Sequence, residues 1–207
     1  MHKWQTVDNE QLGQLIDGLT PRGQQRLIMV DGRSGNGKTT FAHKLMTLFD
    51  AALIHTDDVS WHLHPTDWVQ EILEGVIGPW QRGVDIAYKP PGWTKMGREG
   101  LIEAPAKPML IIEGVGAGRA ELATYADLVT WVQAGTKVAY SRGIARDVKQ
   151  GRTQREAEEF WVEWMSVENP FLASDRPWTR ARLIVNGAPS IDSAGTTQIA
   201  FGPLSSE

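Results

Sequence analysis

A run of consecutive residues carries the clearest chemical signal in this chain. It reads GRSGNGKT from Gly32 to Thr39 and matches the pattern G-x-x-x-x-G-K-[ST]. Glycines at these positions let backbone N–H groups approach phosphate oxygens, and a helix beginning at Lys38 directs its positive dipole end at the same anion. In such loops the lysine ammonium contacts the β- and γ-phosphates, and the Thr39 hydroxyl ligates Mg²⁺. The motif therefore predicts a site for ATP and Mg²⁺.

The context of the motif argues against a glycine-rich turn that fits the pattern by accident. An apolar strand, Leu27–Val30, precedes the loop, and a helical pattern with Phe41 and Leu45 follows it. A strand, a glycine-rich loop and a helix in this order are what a phosphate-binding loop requires. The residues assigned to the nucleotide are Gly32, Ser34, Gly35, Asn36, Gly37, Lys38, Thr39 and Thr40.

Carboxylates lie at the ends of two further predicted strands, where open α/β sheets place their ligands. Either Asp57 or Asp58 could accept the proton of an acceptor hydroxyl. The alternative is that they cap the next segment or are simply solvated. Glu113 ends the apolar run Met109–Ile112, where a carboxylate is costly to bury unless it is paired or near a cation. Mg²⁺ supplies such a partner.

Arg142 and Arg146 are spaced so that a helix places them on one face. Two guanidinium groups on one face suit a polyphosphate whose negative charge grows during phosphoryl transfer. We predict catalytic roles for both, with a surface ion-pair face that includes Asp147 as the alternative. Gly143 and Gly151 could ease movement of this segment.

The segment Tyr88–Trp93 combines aromatic rings with rigid prolines. Tyr88 and Trp93, together with Asp58, are candidates for the wall of an acceptor pocket, and a packed loop is the equal alternative. Trp161 and Trp164 fall at helical spacing on a later segment, so we predict that they belong to the core.

Four segments resemble, in the same order, those of the uridine kinase-like P-loop kinases. They are Val30–Thr40, His55–Val59, Ile111–Val115 and Arg142–Asp147. The resemblance implies that Asp57 holds the acidic position at the phosphoryl acceptor and that Glu113 helps to hold Mg²⁺. It also implies a lid helix that carries the two arginines. The resulting assignments are Lys38, Asp57, Arg142 and Arg146 to catalysis, and Thr39, Asp57 and Glu113 to the metal.

Apolar strands alternate with helical patterns along the chain, which predicts a parallel sheet built from βαβ units. Strands are predicted at Arg26–Asp31, Ala51–Thr56, Met109–Glu113, Leu128–Val132 and Arg182–Val185. Helices are predicted at Asn9–Leu19, Lys38–Phe49, Asp67–Trp80, Ala120–Ala126, Thr136–Gln150 and Thr153–Val167.

The fold class that follows is α/β, with a doubly wound, mostly parallel sheet flanked by helices, as in P-loop NTPases, and with a helical lid. We place a single kinase-like domain at residues 1–187 and its lid at about 136–168. Residues 188–207 are rich in Ser, Gly, Thr and Ala, and we expect a loose tail there.

Composition narrows the class of partners. The chain has 207 residues, a formal net charge of −4 and no cysteine. The negative charge argues against bulk electrostatic binding of nucleic acid, and the apolar runs are too short to cross a bilayer. The missing thiols suit a reducing compartment, and Met1–Asp17 lacks the apolar core of a signal peptide. We expect a cytoplasmic protein that acts on small molecules, with no nucleic-acid or membrane partner.

The expected reaction is transfer of the ATP γ-phosphoryl group to a hydroxyl of a small molecule. A nucleoside is the first choice because of the resemblance. The first alternative is a nucleoside-monophosphate-type kinase, which would need extra arginines in the acceptor pocket, and Arg82 and Arg98 are the mid-chain suppliers. The second is a non-kinase ATP-binding or regulatory protein. The GTPase signature Asn-Lys-x-Asp and the ABC signature Leu-Ser-Gly-Gly-Gln are both absent from the sequence.

Overall fold

The computed structural model of the protein describes residues 3–20, 25–63, 67–189 and 195–202. The strands are β1 (Gln5–Asp8), β2 (Arg26–Gly32), β3 (Ala52–His55), β4 (Ile86–Tyr88), β5 (Ile102–Ala104), β6 (Met109–Glu113), β7 (Leu128–Gln133), β8 (Leu183–Asn186) and β9 (Thr196–Phe201). Seven of them form one sheet in the order β1-β9-β8-β7-β2-β6-β3, and β4 pairs with β5 in a small antiparallel ribbon. In the large sheet, β3 pairs with β6, β6 with β2, β2 with β7, and β7 with β8. All four of these pairs are parallel, which confirms the predicted fold class.

The helices cover both faces of this sheet. They are α1 (Asn9–Leu19), α2 (Lys38–Phe49), α3 (Thr56–Ser60), α4 (Val69–Ile72), α5 (Gly78–Gln81), α6 (Pro91–Lys95), α7 (Ala120–Ala123), α8 (Thr136–Lys149) and α9 (Gln154–Asp175). A π-helical turn, Leu73–Ile77, joins α4 to α5, and a short 3₁₀ helix, Pro177–Thr179, follows α9. Within the described ranges, no helix is long and apolar enough to span a membrane.

The central strands are buried on both faces because successive side chains point to opposite sides of the sheet. In β2, Leu27 and Met29 enter one core, while Ile28 and Val30 enter the other. The continuous apolar run of such a strand is typical of a parallel sheet covered by helices on both sides. The carboxyl ends of β2, β3 and β6 therefore meet at the same edge of the sheet.

Helix α9 is longer than the sequence pattern indicates. It begins with a capping box in which the side chain of Thr153 accepts a hydrogen bond from the Glu156 N–H and the Glu156 side chain binds the Thr153 N–H. The predicted end at Val167 is wrong, because the helix continues through Pro170 to Asp175. Tertiary contacts to the loops described below hold this last part in place.

The expectation of a loose tail at 188–207 needs correction for its middle part. Residues Thr196–Phe201 form β9, which pairs antiparallel with both β8 and β1. The reason is a short apolar alternation in which Thr197 and Ile199 are buried on one face. Residues 190–194 and 203–207 lie outside the described part of the chain, so the expectation is not addressed there.

Candidate active site

The glycine-rich loop connects the end of β2 to the start of α2. Gly35 and Gly37 have φ angles of 76° and 93°, in the left-handed region that favours glycine. Gly37 caps α2 without a side-chain hydrogen bond, so the first-turn N–H groups of the helix remain for an anion. The loop therefore has the backbone form that its sequence predicts.

Neighbouring backbone makes a side chain impossible at two glycines in and beside this loop. A Cβ atom on Gly35 would lie 2.1 Å from the carbonyl oxygen of Ala139 in α8. A Cβ atom on Gly187, after β8, would lie 1.7 Å from the carbonyl oxygen of Asn36. The loop is thus held from one side by α8 and from another by the segment that follows β8.

The Lys38 side chain lies within the loop that it follows. Its Nζ donates a hydrogen bond of 3.1 Å to the carbonyl oxygen of Arg33, and the residue is largely buried. Its positive charge acts on the carboxylates of Asp57, Glu113 and Asp31. These charges place Lys38 at the centre of the site, as its assignment to the phosphates requires.

Glu113 is buried at the end of β6, where it contacts His55 at the end of β3. The distance from His55 Nδ1 to Glu113 Oε2 is 2.7 Å, and the Thr39 hydroxyl also hydrogen-bonds this carboxylate. Burial alone would raise the pKa of Glu113, but the His55 hydrogen bond and the Lys38 charge lower it overall. The same hydrogen bond raises the pKa of His55. Sequence reasoning missed His55, although its position two residues before Asp57, at the end of a predicted strand, was a usable signal.

Asp57 opens α3 and faces the same site. Its carboxylate reaches solvent, and partial desolvation by the surrounding walls raises its pKa. Lys38 and Arg146 act in the opposite direction through their charges. Asp58 is less exposed than Asp57 and lies 3.5 Å from the guanidinium of Arg98. A carboxylate with a raised pKa near two cations is suited to accept a proton.

The two lid arginines occupy different parts of the site. Arg142 Nη1 donates a 2.7 Å hydrogen bond to the carbonyl oxygen of Gly187. Arg146 lies toward Asp57, and its Nε donates a 2.9 Å hydrogen bond to Asp147 Oδ1. The helix therefore brings both guanidinium groups to the cavity, and the charge of Arg146 acts on Asp57.

A cavity of about 1470 Å³ contains most of the predicted site residues. Among the residues that line it are Ser34, Gly35, Gly37, Lys38, Thr39, Thr40, Asp57, Asp58, Glu113, Arg142 and Arg146. Gly32 and Asn36 are outside the described lining of the cavity and instead form hydrogen bonds that hold the loop in place. The Gly32 N–H donates to Asp31, and Asn36 Nδ2 donates to the carbonyl oxygen of Val132 at 3.0 Å.

Tyr88 and Trp93 are outside the described lining of the cavity, so the structure favours the packed-loop alternative. The Tyr88 ring lies against Gly75 in the π-helical turn, and its hydroxyl donates to Glu71. Trp93 is buried behind α3, where its Nε1 donates a 2.8 Å hydrogen bond to the carbonyl oxygen of Asp58. Trp93 thus supports the acidic pair without facing the cavity.

Helix α9 contributes contacts to the loop that sequence reasoning missed. Trp164, predicted as core, lines the cavity and donates a 2.7 Å hydrogen bond from Nε1 to Ser34 Oγ. Glu168 is buried and accepts a 3.0 Å hydrogen bond from the Ser34 N–H. Gly143 allows close packing of α8 on α9, since a Cβ atom there would lie 2.0 Å from the Trp161 ring.

Asp31 joins the glycine-rich loop to the loop after β6. Its carboxylate is fully buried and accepts hydrogen bonds from the N–H groups of Gly32, Gly116 and Gly118. Burial outweighs these bonds and raises its pKa to about 6. Because the three N–H groups come from both loops, Asp31 fixes the loop after Glu113 relative to the phosphate-binding loop.

Comparisons with known proteins agree with this architecture at the level of the fold. No protein-family model and no curated protein matches the chain. A solved structure of a possible uridine kinase from Bacillus stearothermophilus is similar, with a TM-score of 0.53 and 16% identity over 85% of this chain and 96% of that one. The YGR205w protein has a TM-score of 0.55 and 10% identity over 94% of this chain and 96% of that one. The chain has the P-loop kinase fold.

Proposed function

We propose that this protein transfers the γ-phosphoryl group of Mg-ATP to a hydroxyl of a small molecule, with a nucleoside as the first choice. The observation that carries the proposal is the position of Asp57, whose carboxylate lies in the cavity of the phosphate-binding loop among the charges of Lys38, Glu113 and Arg146. The similarity of fold to the Bacillus stearothermophilus protein, a possible uridine kinase, supports a kinase in general, and the nucleoside choice comes from the resemblance in sequence motifs.

The residues present fit a magnesium ion. Thr39 and Glu113 meet at one point, with Asp57 nearby, and oxygen ligands of this kind are those that Mg²⁺ prefers. In the described part of the chain there is no group of three acidic or histidine side chains that could hold a metal by itself. This suits Mg²⁺, which usually takes one or two carboxylates together with phosphate oxygens and water. When bound, it would neutralise charge on the β- and γ-phosphates.

The side chains then divide the reaction between them. The loop N–H groups and Lys38 hold the phosphates. Asp57 takes the proton from the acceptor hydroxyl while the oxygen of that hydroxyl forms a bond to the γ-phosphorus. The bond between that phosphorus and the β–γ bridging oxygen breaks, and ADP leaves. Arg146 stabilises the negative charge that spreads over the transferring group. Trp164 and the rest of α9 limit access of water to the cavity.

The position of Arg98 favours a hydroxyl acceptor over a phosphate acceptor. A nucleoside-monophosphate-type kinase needs cations that face its acceptor. The Arg98 guanidinium instead lies 3.5 Å from the centre of the Trp93 ring and pairs with Asp58. Neither Arg98 nor Arg82 belongs to the described lining of the cavity.

An acceptor screen tests the proposal. The protein is incubated with Mg-ATP and a panel of nucleosides, sugars and other hydroxyl compounds, with nucleoside monophosphates as a second panel, and ADP release is measured. We expect acceptor-dependent release with at least one hydroxyl compound, and its loss in Asp57→Asn with ATP binding retained. Asp58→Asn tests the alternative base: turnover that Asp57→Asn keeps and Asp58→Asn loses would assign that role to Asp58. ADP release that no acceptor accelerates would favour the alternative of a non-kinase ATP-binding protein.

A further inference from the structure

Asp147 occupies a costly position in the last turn of α8. Its side chain is 1% exposed, and Oδ1 accepts the 2.9 Å hydrogen bond from Arg146 Nε. Arg152 Nη1 lies 3.9 Å from the same oxygen. Oδ2 is buried and, among the described residues, has no hydrogen-bond partner. A buried acceptor without a donor is unfavourable, and so is a negative charge near the carboxyl end of a helix.

The contact with Arg146 accounts for a carboxylate in this position. A guanidinium has five N–H donors in a fixed plane, so a bond to Nε sets the direction of the whole group. Because Asp147 holds Nε, the two Nη groups remain for the cavity that both residues line together with Lys38 and Asp57. Arg146 itself is about half exposed, so without this bond its long side chain would sample many rotamers.

We propose that Asp147 is a positioning residue that aims the Arg146 guanidinium at the transferring phosphoryl group. The proposal rests on the proposed phosphotransfer, since it gives Arg146 a target. Asp147 touches neither nucleotide nor acceptor and acts through Arg146. Arg152, whose guanidinium lies 4.0 Å from the centre of the Phe160 ring, is the second cation beside the buried carboxylate.

A transition-state mimic separates positioning from general structure. Mg-ADP with aluminium fluoride imitates a phosphoryl group in transfer, so calorimetry is used to measure its affinity relative to Mg-ADP alone. In wild type we expect aluminium fluoride to increase the affinity for Mg-ADP clearly, and this increase is the fluoride gain. Arg146→Ala and Asp147→Ala should each reduce that gain roughly tenfold or more, because a misplaced charge loses most of its effect on the transition state. The affinity for Mg-ADP alone should change little.

The double variant supplies the decisive comparison. If Asp147 acts through Arg146, the combined variant Arg146→Ala/Asp147→Ala should lose no more than Arg146→Ala alone. Additive losses, or an unchanged fluoride gain in folded Asp147→Ala, would overturn the proposal. Asp147→Leu, which has a similar shape and no acceptor oxygen, serves if the alanine variant does not fold. Glu159→Gln, which changes an exposed partner of Arg155, is the matched control.

The calorimetry, taken together with the acceptor screen, can test the positioning role of Asp147 separately from the proposed function. A wild-type protein that gains no affinity from the fluoride contradicts both, because Arg146 then meets no transferring group. A clear fluoride gain that depends on Asp147, without turnover of any acceptor on the panel, supports the positioning role and counts against the proposed acceptor chemistry alone.

Discussion

The backbone N–H of Ser34 donates a 3.0 Å hydrogen bond to the buried carboxylate of Glu168, so the phosphate-binding loop and helix α9 are joined directly. Trp164 Nε1 donates to the same carboxylate at 2.9 Å, and Arg33 pairs with it at 3.4 Å. The segment predicted as a lid is therefore anchored to the loop at its carboxyl-terminal part. Any large movement of the lid must leave this anchor in place or break it.

Removing the anchor should destabilise the protein. We expect Glu168→Ala to lower the free energy of unfolding by about 1–3 kcal/mol, since it leaves the buried Ser34 N–H and the partly buried Trp164 indole with fewer acceptors. Urea unfolding of the ligand-free protein measures this. Glu159→Ala, in an exposed position of the same helix, is the control and should change stability by less than about 0.5 kcal/mol. Equal stability of the two variants would show that the contact is not significant.

The different contacts of Arg142 and Arg146 predict different kinetic effects. Arg146→Ala should lower kcat roughly tenfold or more with little change in the Kd for ATP, because Arg146 acts where charge develops. Arg142→Ala should mainly weaken ATP binding, because Arg142 holds the segment after β8 through Gly187. Steady-state kinetics and calorimetry measure both constants. Identical effects of the two substitutions would contradict this division.

The pair of His55 and Glu113 predicts a specific dependence of stability on pH. The pKa of His55 is raised by its partner, so its contribution is complete below the unfolded value of 6.5 and is lost as the pH rises through the folded value. The pKa of Glu113 is lowered, so its contribution is present above the unfolded value of 4.5. The His55–Glu113 pair therefore stabilises the protein most between about pH 4.5 and pH 6.5.

His55→Gln tests this dependence. Urea unfolding of the variant and of wild type should show the largest difference at about pH 5.5 and a much smaller one at about pH 9. His43→Gln, on α2 beside His55, is the control for loss of an imidazole at a neighbouring position. A difference that stays constant across this range would mean that the His55 charge does not contribute.

Close packing of α8 on α9 predicts that Gly143→Ala has opposite effects on stability in the presence and in the absence of the Trp161 ring. Alanine normally stabilises a helix by about 1 kcal/mol relative to glycine. Gly143→Ala should instead destabilise the protein, because its Cβ atom would overlap the Trp161 ring. In a Trp161→Leu background the same substitution should be neutral or stabilising. Thermal unfolding of the four proteins measures this, and a stabilising effect in wild type would show that the Trp161 ring can make room for a methyl group at position 143.

Local patterns in the sequence were sufficient for the parts of the fold that depend on them. Helices Asn9–Leu19 and Lys38–Phe49 have the predicted bounds because each has an apolar periodicity and a clear start signal. Strand Met109–Glu113 has them because it is a continuous apolar run that ends at a carboxylate. β9 was missed because a short strand with many small and polar residues becomes stable only through pairing with β8 and β1. The end of α9 was missed because tertiary contacts outweigh Pro170.

The site shows the same division between local and long-range information. The phosphate-binding loop could be predicted in full because its residues are consecutive. Glu168 and Trp164 reach Ser34 across more than a hundred residues, and no spacing in the sequence indicates that contact. Trp93 looked like a pocket residue because it is aromatic and near prolines, but its burial follows from packing behind α3.

The most direct test of the central claim follows the γ-phosphorus itself. ATP labelled at the γ-position is incubated with Mg²⁺, the protein and the best acceptor from the screen, and the products are separated. We predict that the label enters the acceptor in wild type and that Lys38→Ala, which removes the cation at the β- and γ-phosphates, abolishes most of this transfer in a folded protein. Label recovered only as inorganic phosphate, or transfer that Lys38→Ala leaves at the wild-type rate, would contradict the account.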